Sequence, residues 1–162
     1  MKKNKNIKTI IISLFFFGIL LNSCGSLNNY YIPDPNIAED PPGLLINPEN
    51  YAFIGGKIRA INQYDFNPFV GAIREYPTRT LRVPVGETLA VLVHYNMRSS
   101  TTEYYGFRLV SLPPLENGGS YVLYLNNPPF GPSSFRDSHI IFLKLNQNSG
   151  GYESVPGATF LN

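Results

Sequence analysis

The chain has one cysteine, no tryptophan, two histidines and two methionines in 162 residues. A single cysteine excludes an intrachain disulfide, so stability has to come from a packed core. The histidines, His94 and His139, come with neither HExxH nor CxxC spacing. A zinc site needs three or four ligands, so no metal is expected. Gly55-Gly56, Gly118-Gly119 and Gly150-Gly151 lack the GK[ST] tail and following helix of a phosphate loop, so they read as turns or bulges and no cofactor is expected. Charged residues make up 15% of the chain, below the ~25% usual for globular domains. After residue 50 no stretch carries apolar residues at helical spacing for three turns.

The first 24 residues fall into three zones. Lys2, Lys3, Lys5 and Lys8 form a positive head, Ile10 to Leu21 is apolar apart from Ser13 and Gly18, and small or polar residues lead to Cys24. A basic head, an apolar stretch of roughly 7–15 residues and a small residue at the cut is the pattern of a secretory signal. The stretch from Ile10 to Leu21 is 12 residues long, short of the roughly 20 that span a bilayer as a helix.

Leu21-Asn22-Ser23-Cys24 resembles the lipobox of bacterial lipoproteins, with an aliphatic residue three before the cysteine and a small residue just before it. Asn22 departs from the small or hydroxyl residue usual at its place. The resemblance implies cleavage between Ser23 and Cys24 and a diacylglyceryl thioether on Cys24, often with an acyl group on the new amine. Each buried CH₂ contributes about 0.8 kcal/mol, so two or three chains on one residue make attachment durable where one is marginal. Gly25 carries no acidic retention signal. The family rule then points to the outer membrane in a two-membrane cell, and to the outward face of the plasma membrane in a one-membrane cell.

Cleavage would change the charge. Four of the 13 Lys+Arg residues lie in the head, leaving nine basic residues against 11 acidic ones, about −2. Those nine are scattered from Lys57 to Lys144 without a run, which argues against a nucleic-acid partner.

Residues 24–50 read as the lipidated cysteine and a disordered tether, with Pro33, Pro35, Pro41, Pro42 and Pro48 removing backbone donors. Its 26 residues after Cys24 could reach about 80 Å at roughly 3.1 Å each. The alternative is that Tyr30, Tyr31, Leu44, Leu45 and Ile46 pack on the domain as an irregular edge.

From Tyr51 the pattern has period two. Leu89, Val91, Val93, Tyr95 and Met97 share one face; Ala90, Leu92, His94 and Asn96 share the other. Similar runs occupy Tyr51–Ile61, Thr80–Val83, Glu103–Ser111, Ser120–Asn126, His139–Asn146 and Tyr152–Val155, each bounded by Gly, Pro or Asn. About seven short strands with turns at this spacing predict an all-β fold, a single antiparallel β-sandwich over residues 51–162, after the signal at 1–23 and the tether.

The segment from Leu81 through Pro84-Val85-Gly86-Glu87 into Leu89–Tyr95 resembles a turn-strand of the PEGA-like modules of bacterial surface proteins, and Glu116 to Tyr121 is similar to a second. That resemblance implies an immunoglobulin- or transthyretin-like sandwich with no catalytic residues.

Chemistry-bearing patterns are few. Asp137-Ser138-His139 holds the residue types of a hydrolytic triad, yet along a strand Ser138 would point away from both neighbours, and no GxSxG is present. The acids are isolated, so nothing pairs two carboxylates for glycoside hydrolysis. Tyr104, Tyr105, Phe107 and Arg108 cluster in one run, with Tyr121 and Tyr124 on a later one. Tyrosine and arginine are favoured at binding hot spots. Two long connections, Asn62–Thr78 with Phe69 and Asn126–Ser138 with Phe130, add aromatic residues. The candidate binding residues are therefore Tyr104, Tyr105, Arg108, Tyr124, Phe69 and Phe130. The expectation is a membrane-anchored envelope lipoprotein, not an enzyme, acting as a binding or accessory module for an envelope protein. A carbohydrate-binding surface module is the first alternative and an envelope hydrolase the second.

Overall fold

A computed structural model describes residues 31–65, 77–98, 103–126 and 139–161. The described chain is all-β, with two five-stranded sheets packed face to face. The strands are β1 (Tyr51–Gly56), β2 (Ile58–Ile61), β3 (Tyr64–Asp65), β4 (Arg79–Pro84), β5 (Leu89–Arg98), β6 (Glu103–Leu112), β7 (Ser120–Asn126), β8 (His139–Leu145), β9 (Tyr152–Ser154) and β10 (Thr159–Phe160). One sheet has the order β4-β1-β7-β8-β9 and the other β10-β6-β5-β2-β3.

Alternation decides which side chains meet between the sheets. Ala52 and Ile54 of β1, Leu81 and Val83 of β4, Tyr121 and Leu123 of β7 and Phe142 of β8 come from the first sheet. Ile58 and Ile61 of β2, Leu89, Val91 and Val93 of β5, and Val110 and Leu112 of β6 come from the second. Fully burying such side chains is worth roughly 1.5–3 kcal/mol each, and with no disulfide this layer carries the fold. The longest ladder pairs Leu89–Arg98 with Glu103–Leu112 in antiparallel register, Val91 opposite Val110.

Where the sequence reading has one strand from Tyr51 to Ile61, the chain makes two, and they belong to different sheets. The crossing comes at Lys57, between Gly56 and Ile58. A Cβ at Gly56 would stand 2.5 Å from the Leu123 carbonyl oxygen. The backbones touch there, so no side chain fits. A bulge between Ile58 and Ala60 then restores the register against β5. The ladder also departs from a purely antiparallel sandwich. β1 runs parallel to β7, Phe53 beside Ser120 and Gly56 beside Leu123, because β1 lies between β4 and β7 and leaves for the opposite sheet instead of returning in a hairpin. The short β3 and β10, with the split of β1 from β2, raise the described strands to ten from the seven expected. β3 follows a two-residue turn in which Asn62 takes a left-handed φ of 53°. Asn62 tolerates that conformation, and its side-chain oxygen accepts the Ala90 N–H at 3.0 Å.

The folded unit begins at Tyr31, not Tyr51. Residues 31–50 form the irregular edge that the sequence offers as the alternative to a free tether. Pro33 and Pro41 are buried, Leu44 packs against the core, and Leu45 stays 93% exposed. Glu39 makes an isolated parallel bridge to Leu81. The Glu39 N–H donates to the Thr80 carbonyl at 2.9 Å, and the Arg82 N–H donates to the Glu39 carbonyl at 2.9 Å. The prolines do not prevent this, because one residue supplies both bonds. The bridge covers the β4 edge, which would otherwise present unpaired backbone groups.

Candidate functional site

On the outward side of β5 and β6, alternation gathers aromatic rings that the core does not use. His94 lies directly opposite Phe107, with ring centroids 5.4 Å apart. Tyr105 is diagonal to His94 across the same ladder and stacks on it at 6.1 Å with an interplanar angle of 21°. Arg59, at the β2 bulge, sets its guanidinium 4.9 Å from the Phe107 centroid. Leu92 and Leu109 pair further along the ladder, Leu109 37% exposed. The result is an aromatic-apolar stripe with one cation on it.

A groove of about 200 Å³ lies where the chain crosses between the sheets, lined by Lys57, Val93, His94, Tyr95, Leu123, Tyr124 and Leu125. Both sheets contribute, β5 from one and β7 from the other. The His94 N–H donates to the Lys57 carbonyl at 2.8 Å and fixes the crossing against β5. Tyr124 also faces the N-terminal segment, its hydroxyl accepting the Tyr31 N–H at 2.6 Å. Val93, Tyr95, Leu123 and Leu125 share the inward parity of their strands and give the groove apolar walls with one phenol, which suits a ligand with an apolar body.

Arg108 belongs to the opposite side of β6. It pairs with Val93 in the ladder, and its guanidinium lies 4.4 Å from the Phe160 centroid. Burial pushes the Tyr95 hydroxyl up from its usual value, with the positive charge of Arg108 pulling the other way. Gly106, opposite Tyr95, leaves the space that the phenol occupies.

A second, polar cleft of about 330 Å³ is lined by Glu116 to Gly119, Lys144 to Gln147 and Glu153. Lys144 Nζ bonds Glu116 Oε2 at 2.5 Å, and Asn146 Nδ2 donates to Glu153 Oε1 at 2.5 Å. The bond to Glu116 holds the Lys144 ammonium above its usual value. Both carboxylates are engaged by donors, so the cleft is equipped to exchange hydrogen bonds. The turn signal at Asn117-Gly118-Gly119 marks one wall in the sequence. Nothing in the sequence shows that this turn and the end of β8 share one cleft.

The structure therefore brings Tyr105 and Phe107 to His94 and Arg59 to Phe107, puts Tyr124 with Lys57 and His94 along one groove, and sets Arg108 on the other side of β6. Arg59, Lys57 and His94 are the residues that sequence reasoning did not attach to this surface. The period-two face containing His94 is legible, but its cross-strand partners are not. Tyr104 occupies β6 opposite Met97, and its side chain lies outside the described residues. Phe69, Phe130, Asp137, Ser138, Ser23 and Cys24 lie outside them as well. His139 opens β8, exposed. Among the described residues no three His, Cys, Asp or Glu side chains converge as a metal site would require, and no helix is long and apolar enough to cross a membrane. The chain matches no protein-family model, and no match is found among curated proteins or solved structures.

Proposed function

We propose that this protein is a lipid-anchored bacterial envelope protein whose β-sandwich serves as a non-catalytic binding or accessory module. The carrying observation is the lone cysteine, Cys24, placed directly after the apolar stretch Ile10–Leu21 and a basic head. A chain that keeps one thiol, at the one place where lipidation would use it, fits an anchor better than a redox or metal role. The membrane is the outer one in a two-membrane cell. The sandwich is of the immunoglobulin- or transthyretin-like kind seen in PEGA-like modules, a reading supported by the two packed sheets and by the left-handed Gly86 in the Pro84-Val85-Gly86 turn.

Binding is supported by the Tyr105–His94–Phe107 stripe with Arg59 and by the adjoining groove at Tyr124. An envelope protein is the favoured partner, since aromatic rings with an arginine are the usual anchors of protein interfaces. Metabolic labelling with an alkyne fatty acid tests the anchor. Wild type should take up label and Cys24→Ala should not; label retained in Cys24→Ala would remove the reading. Affinity capture from crosslinked cells tests the module. A specific envelope protein recovered with wild type should be depleted by Tyr105→Ala or Tyr124→Ala.

Carbohydrate binding is the second reading. It is favoured by the polar cleft between Glu116 and Glu153 and by the half-buried rings of Tyr105 and Phe107, since sugars use both hydrogen bonds and ring faces. A glycan array without hits would end it.

A further inference from the structure

We propose that Asn117 is a latent self-modification site, an asparagine whose cyclisation onto Gly118 is held off by the start of β1. The proposal is independent of the anchor reading at Cys24.

Asn117-Gly118 is the one Asn-Gly pair in the chain. In such a pair the glycine amide nitrogen can attack the asparagine Cγ, because glycine has no side chain to shield it. The N–Cγ bond forms and the Cγ–Nδ2 bond breaks. The amide proton passes to solvent and Nδ2 leaves as ammonia, giving a succinimide. Water then opens either carbonyl of the imide, yielding aspartate or the backbone-shifted isoaspartate. Glu116, Asn117 and Gly118 are exposed, so water and base reach the pair.

The fold holds both reacting groups on one short segment. Gly119 donates its N–H to the Glu116 carbonyl at 3.1 Å, and Gly118 has a φ of 70°, the mark of a type II turn. The nucleophile's N–H, on Gly118, donates to the Tyr51 carbonyl at 2.8 Å. The Asn117 carboxamide accepts the Tyr51 N–H at Oδ1, 3.0 Å away, and its Nδ2 donates to the Glu49 carbonyl at 3.4 Å. Cyclisation has to break the Gly118 bond and turn the carboxamide away from Glu49 and Tyr51. Tyr51 is held in turn by Arg82, whose guanidinium lies 5.4 Å from the ring centroid and bonds Asp40 at 2.6 and 2.5 Å. Residues 47–50, leading into β1, are exposed, and strand ends of this kind open at lower cost than the core. The rate is therefore set by how often the start of β1 lifts from the turn.

The products differ from asparagine at these same bonds. Aspartate keeps an acceptor for the Tyr51 N–H but loses the Nδ2 donor, so an oxygen faces the Glu49 carbonyl. It also places a new negative charge beside Glu116, in the polar cleft that Glu153 shares. Isoaspartate inserts a carbon into the backbone between residues 117 and 118, so the turn's bonds to Tyr51 and Glu116 no longer close together. Either product loosens the start of β1, and neither reverts to asparagine. The site records how long that strand end has been open.

The test follows the full-length protein at mildly alkaline pH by peptide mass mapping, with isoaspartate-specific methylation to separate the two products. Unfolded in urea, the peptide holding Asn117 should gain the mass of amide-to-acid conversion before any other asparagine peptide does. Folded, the same conversion should be about tenfold slower or more. Tyr51→Pro removes the N–H that Oδ1 accepts, at a strand's first position, where proline is tolerated. It should raise the folded-state rate several-fold while the amides of β5 and β6 stay protected from exchange. If that variant does not fold, wild type in urea below its unfolding transition should show the same rise, in step with exchange of the Gly118 amide. Asn117→Gln should abolish conversion at this position. Equal rates folded and unfolded would overturn the proposal, as would first conversion at another asparagine in the unfolded chain or a Gly118 amide whose exchange does not track the rate.

Discussion

Gly55 lies directly beneath Tyr31, at a distance where a methyl group on residue 55 would stand 2.8 Å from the tyrosine ring. The glycine on β1 is thus the seat for the N-terminal segment. Gly55→Ala should cost about 1–3 kcal/mol by overpacking. In a Tyr31→Ala background the same change should cost much less, because the clashing ring is gone. A double-mutant cycle by urea denaturation measures that coupling, and additive effects would refute it.

Tyr121 shows how one side chain serves both core and edge. Its ring stacks on Phe142 at 5.5 Å, and its hydroxyl accepts the Glu116 N–H at 3.0 Å. Tyr121→Phe should lose about 1–3 kcal/mol, since the amide is left without its acceptor. Tyr121→Ala should lose more, about 3–5 kcal/mol in the manner of other buried aromatic truncations. Denaturant midpoints at constant m-value check both.

The ion pairs at Arg82 and Lys144 should matter little to global stability. Asp40→Ala and Glu116→Ala are each expected to cost no more than about 1 kcal/mol, and less at high salt. Thermal melts at low and high ionic strength read this directly. A loss as large as that of Tyr121→Ala would contradict it.

Alkaline pH should destabilise the domain through two phenols. Burial raises the hydroxyls of Tyr95 and Tyr152 above the ordinary tyrosine value. A raised folded-state value means that the neutral form is favoured in the native state. The contribution is therefore complete below the unfolded value, about 10, and is lost as pH climbs through the higher folded value. Stability against pH should fall above about 10, and the double variant Tyr95→Phe/Tyr152→Phe should flatten that fall. An unchanged slope in the double variant would sink the assignment.

Much of the sandwich is legible from alternation, because a side chain's face follows from parity. Val91 and Val93 point inward and His94 outward, as the spacing predicts, and the runs at Thr80, Glu103, Ser120, His139 and Tyr152 all became strands. The strand switch at Lys57 was not legible. Parity runs on through Gly55-Gly56, and only the Leu123 carbonyl at the glycine shows why the chain leaves one sheet there. The aromatic stripe was half legible. Tyr105 and Phe107 stand out as aromatic residues, but whether Arg59 or Arg108 joins them depends on the β2 bulge and on which side of β6 Arg108 faces. The proline-rich segment misled for a similar reason. Proline content reports the donors a segment lacks, whereas docking turned on Thr80, Tyr124 and a missing side chain at residue 55, all distant in the chain.

By itself the sequence determined the lone thiol, the basic and apolar stretches ahead of it and the period-two pattern, since each is set by neighbours along the chain. Only the tertiary structure decided where the folded unit begins, which strands share a sheet and which cation meets the aromatic stripe. Those outcomes depend on pairings between residues tens of positions apart. Their energies come from burial and hydrogen bonding across the sheets, and local composition does not encode them.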